Sequence, residues 1–372
     1  MNPYEPENPE KQDSSVYYLA ETPETVETSA QAEPVFPKLP LSAHRAYITR
    51  VGLGFSLLAV LFTACGYGFS YLALLLKPEL LTTWWFDWAL SLVPLYAIAL
   101  PCMLLILRSI PAAPHNETYP FRGVEVKKPR FHFGWWIVLF IICVGYLYIG
   151  SLISNGLMAL LSSITGKDYA DILQSMTADA PLWLIFLATV VIAPIGEEFM
   201  FRKLLIDRTR QYGDTAAILL SAACFALFHR NFFQLIYTFL IGLILAYVYT
   251  RTGKYWLSVS LHAAGNFVGG VLSKLMISLI GEEALESPET LMELLQANPL
   301  GMLVYFLYTM MIYAALIASV VLTIVLFRKR KLSRGTQSLT RGETASVMYL
   351  NAGVLLFIVL CLGLTVFSLI MM

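Results

Sequence analysis

The chain has 372 residues, of which 58% are hydrophobic and 13% are charged, and its formal net charge is zero. Soluble domains carry about 25% charged residues, so this composition argues against a soluble protein. A mean hydropathy of +0.67 also argues against a soluble protein. The sequence contains no basic region of the kind that would indicate nucleic-acid binding.

Residues 1–45 form a polar segment in front of the first apolar block. Up to Pro34 they contain eight acidic residues against one basic residue, Lys11, and several prolines. Such a segment cannot bury enough apolar surface to fold, and it has no apolar core of the kind that a signal peptide needs. We therefore expect a disordered, acidic cytoplasmic tail at 1–45 and a membrane domain at 46–372, whose first helix directs insertion.

Nine apolar blocks follow the tail, and most have about the 20 residues that a helix needs to cross a bilayer. They are Val51–Leu76, Trp84–Leu107, Trp135–Leu161, Pro181–Ile206, Ala216–Phe228, Phe232–Tyr249, Trp256–Ile280, Leu303–Phe327 and Leu350–Met372. The fifth block is short and spans a bilayer only with flanking residues. We predict an all-α fold, a polytopic transmembrane bundle of about nine helices.

Basic residues alternate between the connecting loops. Lysine and arginine concentrate before the first block and in every second loop after it, most strongly in the run 328–331. The other loops are acidic or sparse in charge. Short cytoplasmic loops of membrane proteins carry an excess of lysine and arginine, so the pattern predicts a cytoplasmic N-terminus and an external C-terminus. Nine spans with this charge pattern fit a protein of the bacterial plasma membrane, and a eukaryotic endomembrane stays open as the alternative.

Polar residues within the blocks cluster in three places. They are Glu197, Glu198 and Arg202 in block four, His229 at the end of block five, and His262 and Asn266 in block seven. A charged side chain at the centre of a bilayer costs about 2.5–3.5 kcal/mol on insertion scales, so such residues indicate a functional site.

Helical geometry separates the roles of the two glutamates. Residues four apart share a helix face, so Arg202 can hold Glu198 ionised. Glu197 points about 100° away from Glu198 and can face a reacting water. Counting along the helices puts His262 several ångströms from the depth of Glu197, so tilt or a kink at Pro194 must bring them level.

These residue types suit hydrolysis. A glutamate in an apolar site can act as a general base, and histidines can bind a metal, orient a water or stabilise an oxyanion. Asn266 can donate its amide N–H to the same oxyanion. A water activated by Glu197 and attacking a peptide carbonyl is consistent with the set. The sequence has neither Gly-x-Ser-x-Gly nor His-Glu-x-x-His, the motifs of many serine hydrolases and of zincins.

The three motifs together resemble a known family. Glu-Glu-x-x-x-Arg, Phe-x-x-x-His and His-x-x-x-Asn occur in this order in separate blocks between about Pro181 and Gly270. This pattern resembles the CPBP (CAAX protease and bacteriocin-processing) intramembrane peptidases, so we expect a CPBP-like peptidase core at about 181–280. One departure is Lys203, where many relatives have glycine.

The resemblance implies roles for single residues. Glu197 resembles the catalytic base, His229 would position the water, and His262 with Asn266 would stabilise the oxyanion. Glu198 and Arg202 would support the first motif. Glu197, His229 and His262 could hold a catalytic zinc ion, which three protein ligands suffice to bind, or could work without metal. The implied partners are the lipid bilayer and a membrane-associated or lipidated peptide or protein substrate.

Other interpretations remain open at this point. The charged residues of block four can form an ion pair that is only structural. His229 of block five can be an interfacial histidine at the end of a helix. His262 and Asn266 of block seven can form hydrogen bonds between helices. A catalytically inactive scaffold or a bacteriocin-immunity-type protein would keep the same residues without turnover. A proton-coupled transporter also uses buried carboxylates, but it would usually show two related halves, and the sequence shows no such repeat.

Overall fold

The computed structural model describes residues 40–112, 132–169, 171–281, 287–327 and 339–371, together with residues 332, 335 and 337. This part of the chain contains helices and no strand, which confirms the predicted all-α class. The helices are α1 (Leu41–Leu76), α2 (Trp84–Leu107), α3 (Phe133–Thr165), α4 (Ile172–Ala178), α5 (Leu182–Tyr212), α6 (Asp214–Phe228), α7 (Phe232–Thr252), α8 (Tyr255–Ile280), α9 (Pro288–Ala297), α10 (Pro299–Phe327), α11 (Arg341–Met348) and α12 (Ala352–Met371).

Eight helices of the described residues are long and apolar enough to cross a membrane. They are α1, α2, α3, α5, α7, α8, α10 and α12, and they make the chain an integral membrane protein. The fifth predicted block is helix α6, which has 15 residues. At about 1.5 Å per residue it measures about 22 Å, short of a hydrocarbon core of about 30 Å. The candidate spans therefore number eight rather than about nine, and the orientation of the termini stays a prediction.

Helix α6 is short because it lies inside the bundle. It packs against α5, α7 and α12, and most of its residues are buried. It therefore presents most of its surface to other helices.

Helix α1 begins ten residues before the predicted apolar block. Residues 41–45, which were predicted to belong to the tail, are helical. The side chain of His44 is buried and its Nδ1 atom lies 3.2 Å from the hydroxyl of Tyr212 at the end of α5. The change from polar to apolar composition shows where the apolar region begins. The helix begins earlier, because the contact of His44 with Tyr212 stabilises its first turns. The rest of the predicted tail, residues 1–39, lies outside the described residues.

The helices that close the bundle meet through small residues. Gly52 of α1 lies against Gly353 of α12, and a Cβ atom added to Gly52 would come within 2.3 Å of the Gly353 carbonyl carbon. Small residues allow this close approach of two helices in a membrane. Beside this crossing, Phe55 of α1 packs on Phe201 of α5, with ring centroids 5.7 Å apart. These contacts join α1 to α12 and α1 to α5.

Four π-helical stretches interrupt the long helices near the centre of the bundle. They are Pro94–Ala99 in α2, Phe186–Ile192 and Phe199–Ile206 in α5, and Phe267–Leu272 in α8. In a π turn the backbone N–H bonds to the carbonyl five residues back, and such turns occur frequently at functional sites. The two stretches of α5 lie on either side of the glutamate pair, and the stretch of α8 follows Asn266 directly.

Candidate active site

A buried ion pair lies at the centre of the site. The Glu198 Oε2 atom is 3.1 Å from the Arg202 Nε atom, one helical turn further along α5, and both side chains are fully buried. Arg202 also donates from Nη1 to the hydroxyl of Ser221 on α6 at 3.4 Å. Its guanidinium carbon lies 4.8 Å from the centre of the Phe225 ring. The ion pair that the spacing predicted is present within α5, and the contacts of Arg202 with Ser221 and Phe225 join α5 to α6.

His262 of α8 connects the two glutamates. Its Nδ1 atom lies 3.0 Å from Glu198 Oε1, and its Nε2 atom lies 3.6 Å from Glu197 Oε2. A carboxylate accepts hydrogen bonds, so Nδ1 carries the proton that it donates to Glu198. The separation of Nε2 from Glu197 is longer than a hydrogen bond. The difference in depth expected between His262 and the glutamates is therefore absent from the folded chain.

Glu197 stays outside the ion pair and faces a cavity. Its side chain retains 16% exposure, whereas that of Glu198 retains none. The preceding Gly196 packs against Tyr96 of α2, because a Cβ atom at Gly196 would come within 2.1 Å of the Tyr96 ring. This contact brings α2 against the turn that presents Glu197. The roughly 100° between successive residues of a helix thus gives the two glutamates different surroundings, as expected.

His229 lies at the end of α6 and borders the same cavity. Its Nδ1 atom is 2.7 Å from the Phe225 carbonyl oxygen. Since a carbonyl only accepts hydrogen bonds, Nδ1 is the donor, and the neutral ring keeps Nε2 as an acceptor. The rings of His229 and His262 both meet the Phe225 ring edge to face, with centroids at 4.8 and 5.6 Å. Phe225 therefore lies between the two histidines.

Asn266 of α8 reaches the backbone of α5. Its Nδ2 atom donates to the Thr189 carbonyl oxygen at 2.8 Å. In the π-helical stretch Phe186–Ile192 of α5, the Ala193 N–H donates to the Ala188 carbonyl five residues back. By the same spacing, the donor to the Thr189 carbonyl would be the backbone nitrogen of Pro194. Proline has no N–H, and Asn266 supplies the missing donor. One N–H of its amide group remains for another acceptor.

The contact between Asn266 and Thr189 leads to a prediction on stability. Asn266→Ala should lower the free energy of unfolding by about 1 kcal/mol, in the range found for hydrogen bonds between membrane helices. In a Pro194→Ala background, which restores a backbone N–H, the same change should have a smaller effect. A double-mutant cycle of thermal unfolding in detergent measures the coupling. Equal effects in both backgrounds would contradict this account of Asn266.

The residues expected to bind zinc do not converge in this arrangement. Among the described residues, no group of three histidine, cysteine, aspartate or glutamate side chains is placed to hold a metal ion. Glu197 lies near His262, and the bond from His229 Nδ1 to the Phe225 carbonyl leaves Nε2 as the only ring atom of His229 that could bind a metal. We therefore derive no step through a metal.

The polar groups surround one cavity of about 660 Å³, a volume typical of ligand sites. Of the six predicted site residues, Glu197, His229, His262 and Asn266 line the cavity. Glu198 and Arg202 are buried behind them. The site thus has a layer facing the cavity and a buried ion pair that supports it.

Three contributors had no assigned role at the sequence level. Phe225 belongs to the Phe-x-x-x-His motif, which assigns a role to the histidine alone, although the spacing of four places both residues on one helix face. Tyr96 and Thr189 carried no signal, because neither is charged and both meet the site through contacts between distant helices. A tyrosine or threonine in an apolar block is too common to indicate a site.

Comparison with known families gives one finding. Residues 179–268 match the family model described as Rce1-like, type II CAAX prenyl endopeptidase Rce1-like. The matched segment contains all six predicted site residues and confirms the resemblance to CPBP peptidases that the motifs indicated. Comparisons with curated proteins and with solved structures give no match.

Proposed function

We propose that this protein is an intramembrane endopeptidase that hydrolyses peptide bonds of membrane-associated or lipidated peptides and proteins with a water activated by Glu197. The observation that carries the proposal is the separation of the two glutamates. Glu198 is neutralised by Arg202 in the interior, whereas Glu197 faces a cavity that His229 and His262 also line. A lone structural ion pair would need neither the second glutamate nor the cavity.

The first chemical step is attack on the peptide carbonyl. Glu197 takes a proton from the water as its oxygen forms a bond to the carbonyl carbon, which becomes tetrahedral and carries an oxyanion. The Nε2 atom of His229 accepts the second water proton in a hydrogen bond and so orients the water. These two groups act from different helices, α5 and α6, on one molecule of water.

The second step breaks the carbon–nitrogen bond. Hydrogen-bond donors placed at the oxyanion lower the barrier. The second amide N–H of Asn266 is one donor. His262 is the other in its imidazolium form, which carries a proton on Nε2 in addition to the Nδ1 proton donated to Glu198. The proton held by Glu197 passes to the departing nitrogen as the bond breaks. The products are a carboxylic acid and an amine, and Glu197 is again ionised.

Glu198, Arg202 and Phe225 act as positioning residues in this mechanism. The hydrogen bond from His262 Nδ1 to Glu198 fixes the orientation of the ring, which leaves Nε2 on the side of Glu197. Arg202 keeps the Glu198 carboxylate in place. Phe225 packs edge to face on both histidine rings, so all three hold the orientation of groups that face the cavity.

The surroundings of the site support a substrate that is itself bound to the membrane. The cavity is bordered by most of the helices, among them seven of the candidate spans: α1, α2, α3, α5, α7, α8 and α12. An apolar or lipid-modified peptide partitions into the same region. We place the protein in a bacterial plasma membrane, in line with the charge pattern of its loops.

The proposal predicts cleavage of membrane-derived peptides by the purified protein in detergent or liposomes. A library of lipidated and unlipidated peptides, read by mass spectrometry, should give defined products that disappear with Glu197→Ala and with His262→Ala. Glu79→Ala and His132→Ala are matched controls, because both residues are exposed and outside the cavity, and they should keep activity. Products that persist in the first two variants would refute the mechanism.

The same assay addresses metal dependence and the alternative functions. Loss of cleavage with a chelator and its return with zinc would assign a metal to Glu197, His229 and His262 after a rearrangement of His229. Activity unaffected by the chelator supports the metal-free steps above. Absence of cleavage by every form, with every peptide, would favour the inactive scaffold or the transporter over the peptidase.

A further inference from the structure

Two hydrogen bonds identify the opposite ends of the helical bundle. At one end, the hydroxyl of Tyr47, in the first turns of α1, donates to the carbonyl of Pro111, just beyond α2. At the other end, the indole N–H of Trp88, in the first turns of α2, donates to the carbonyl of Met176 in α4 at 3.2 Å. Helix α2 therefore runs from the second end to the first.

The two ends differ in charge. The described basic residues at or near the first end, which we call the basic end, include Arg45, Arg50, Arg108, Arg208, Arg210, Arg251, Lys254 and Arg341. Those near the second end, which we call the acidic end, are Lys77, Lys167 and Lys274, beside the acidic residues Glu79, Asp87, Asp168, Asp171, Asp179, Glu289 and Glu293. Cytoplasmic loops carry the excess of lysine and arginine, so we expect the basic end to face the cytoplasm.

The cavity lies between the glutamate pair and the acidic end. Its lining residues on α5 fall within 185–197 and those on α2 within 88–96, which in both helices is the half that starts at the acidic end. On α1 they fall within 62–70, in the half that ends there. Asp171 and Thr177, before and within the short helix α4, also border the cavity. The cavity therefore leads from the site toward the acidic end.

The basic end is packed against the other side of the site. Arg208 of α5 donates from Nε to the Ile110 carbonyl at 3.2 Å and from Nη2 to the Leu107 carbonyl at 3.1 Å, and so joins α5 to the end of α2. Between this contact and the glutamate pair, the Phe201 and Leu205 side chains are buried. None of these five residues lines the cavity. A peptide arriving from the basic end would have to separate these helices.

We propose that the cavity receives its substrate from the side of the membrane opposite the cytoplasm, so that this protein cleaves exported peptides and proteins held in or at the outer leaflet. The substrate class rests on the proposed peptidase function, whereas the side of entry rests on the charge of the two ends and the position of the cavity. A chain that enters at the acidic end reaches Glu197 without crossing the packed basic end. A substrate anchored in the cytoplasmic leaflet meets the closed side of the site.

A matched pair of cysteine variants tests the orientation. Ser42, near the basic end, and Thr82, near the acidic end, are both exposed and uncharged, so Ser42→Cys and Thr82→Cys leave the charge pattern intact. In intact cells, a membrane-impermeant maleimide should label Thr82→Cys and should label Ser42→Cys only after the membrane is permeabilised. The wild type gives the labelling due to the five native cysteines. The reverse pattern would overturn the inference.

Membrane vesicles of the two orientations test the side of cleavage. Right-side-out and inverted vesicles from the same cells receive a membrane-derived peptide whose large hydrophilic tag prevents it from crossing the bilayer. Cleavage should occur in right-side-out vesicles and fall to the background of Glu197→Ala in inverted ones. Cleavage only in inverted vesicles would overturn the inference and leave the peptidase proposal standing.

Access to the cavity can be measured without turnover. Thr177→Cys places a thiol at the cavity wall, and an impermeant thiol reagent should modify it from the same side of the membrane as Thr82→Cys. If no form of the protein cleaves any peptide, even in detergent, the peptidase proposal fails and this reaction alone decides the side on which the cavity opens. Modification of Thr177→Cys from the side of Ser42→Cys would overturn the inference whether or not the protein is a peptidase.

Discussion

Replacing Glu197 with glutamine is expected to lower kcat by a factor of roughly 10²–10⁴, the contribution typical of a general base. Glutamine has nearly the same shape but cannot accept the proton of the attacking water. Because the Glu197 side chain makes no short hydrogen bond to His262 and borders the cavity, thermal stability should stay close to that of the wild type. Peptide hydrolysis and thermal unfolding, measured on the same preparation, check both parts.

The adjacent residue provides the matched comparison. Glu198→Gln removes the same charge one position away, but it also breaks the buried contacts to Arg202 and His262. This variant should lose stability as well as activity. If Glu197→Gln retained wild-type kcat, the assignment of the base would be wrong. If both variants lost stability equally, the two glutamates would share one structural role.

Replacing Arg202 with methionine is expected to lower the free energy of unfolding by about 3–5 kcal/mol, because it leaves the buried Glu198 charge without its main counter-ion. Methionine keeps much of the aliphatic length and the contact with the Phe225 ring. The double variant Glu198→Gln/Arg202→Met removes both charges, so it should be more stable than Arg202→Met alone. Chemical or thermal unfolding of the purified variants in one detergent measures the difference.

Lys203 supplies an internal control for the ion-pair prediction. It lies next to Arg202 and forms an ion pair with Asp207, also four residues further on, at 3.0 Å. The Lys203 side chain is 48% exposed, and a pair with one exposed member gains little, about 1 kcal/mol or less. Asp207 is buried, but it keeps the hydrogen bond from the Tyr249 hydroxyl when Lys203 is replaced. Lys203→Met should therefore change stability little. If Lys203→Met and Arg202→Met lowered the free energy of unfolding by similar amounts, burial of the ion pair would not be what decides the loss of stability.

The exposed position of Lys203 also accounts for its departure from the family pattern. A lysine directly after Arg202 could have disturbed the packing of α5, but its side chain points away from the buried pair toward Asp207. Asp207 in turn accepts a hydrogen bond from the Tyr249 hydroxyl at 3.0 Å. The lysine thus follows Arg202 directly but lies on the exposed side of α5, and it does not line the cavity.

The sequence by itself determined the helical membrane fold and the residue types of the site. A long apolar block crosses a bilayer as a helix, because the lipid offers no hydrogen-bond partners and each backbone N–H and C=O group must find one within the segment. The cost of burying charges makes Glu197, Glu198 and Arg202 visible against an apolar background. The spacing of four between Glu198 and Arg202 was sufficient to predict their ion pair, since that contact is local to one helix.

Tertiary structure alone decided how the separate helices bring those residues together. The bonds of His262 to Glu198 and of Asn266 to Thr189 join residues 64 and 77 positions apart, and helix periodicity carries no information on such pairs. The π-helical stretches of α5 and α8 shift the register near the site, so counting at 1.5 Å per residue could not give the relative depth of His262. Helix α6 appeared as a span in the sequence because apolar composition does not distinguish a helix that faces lipid from one that faces other helices.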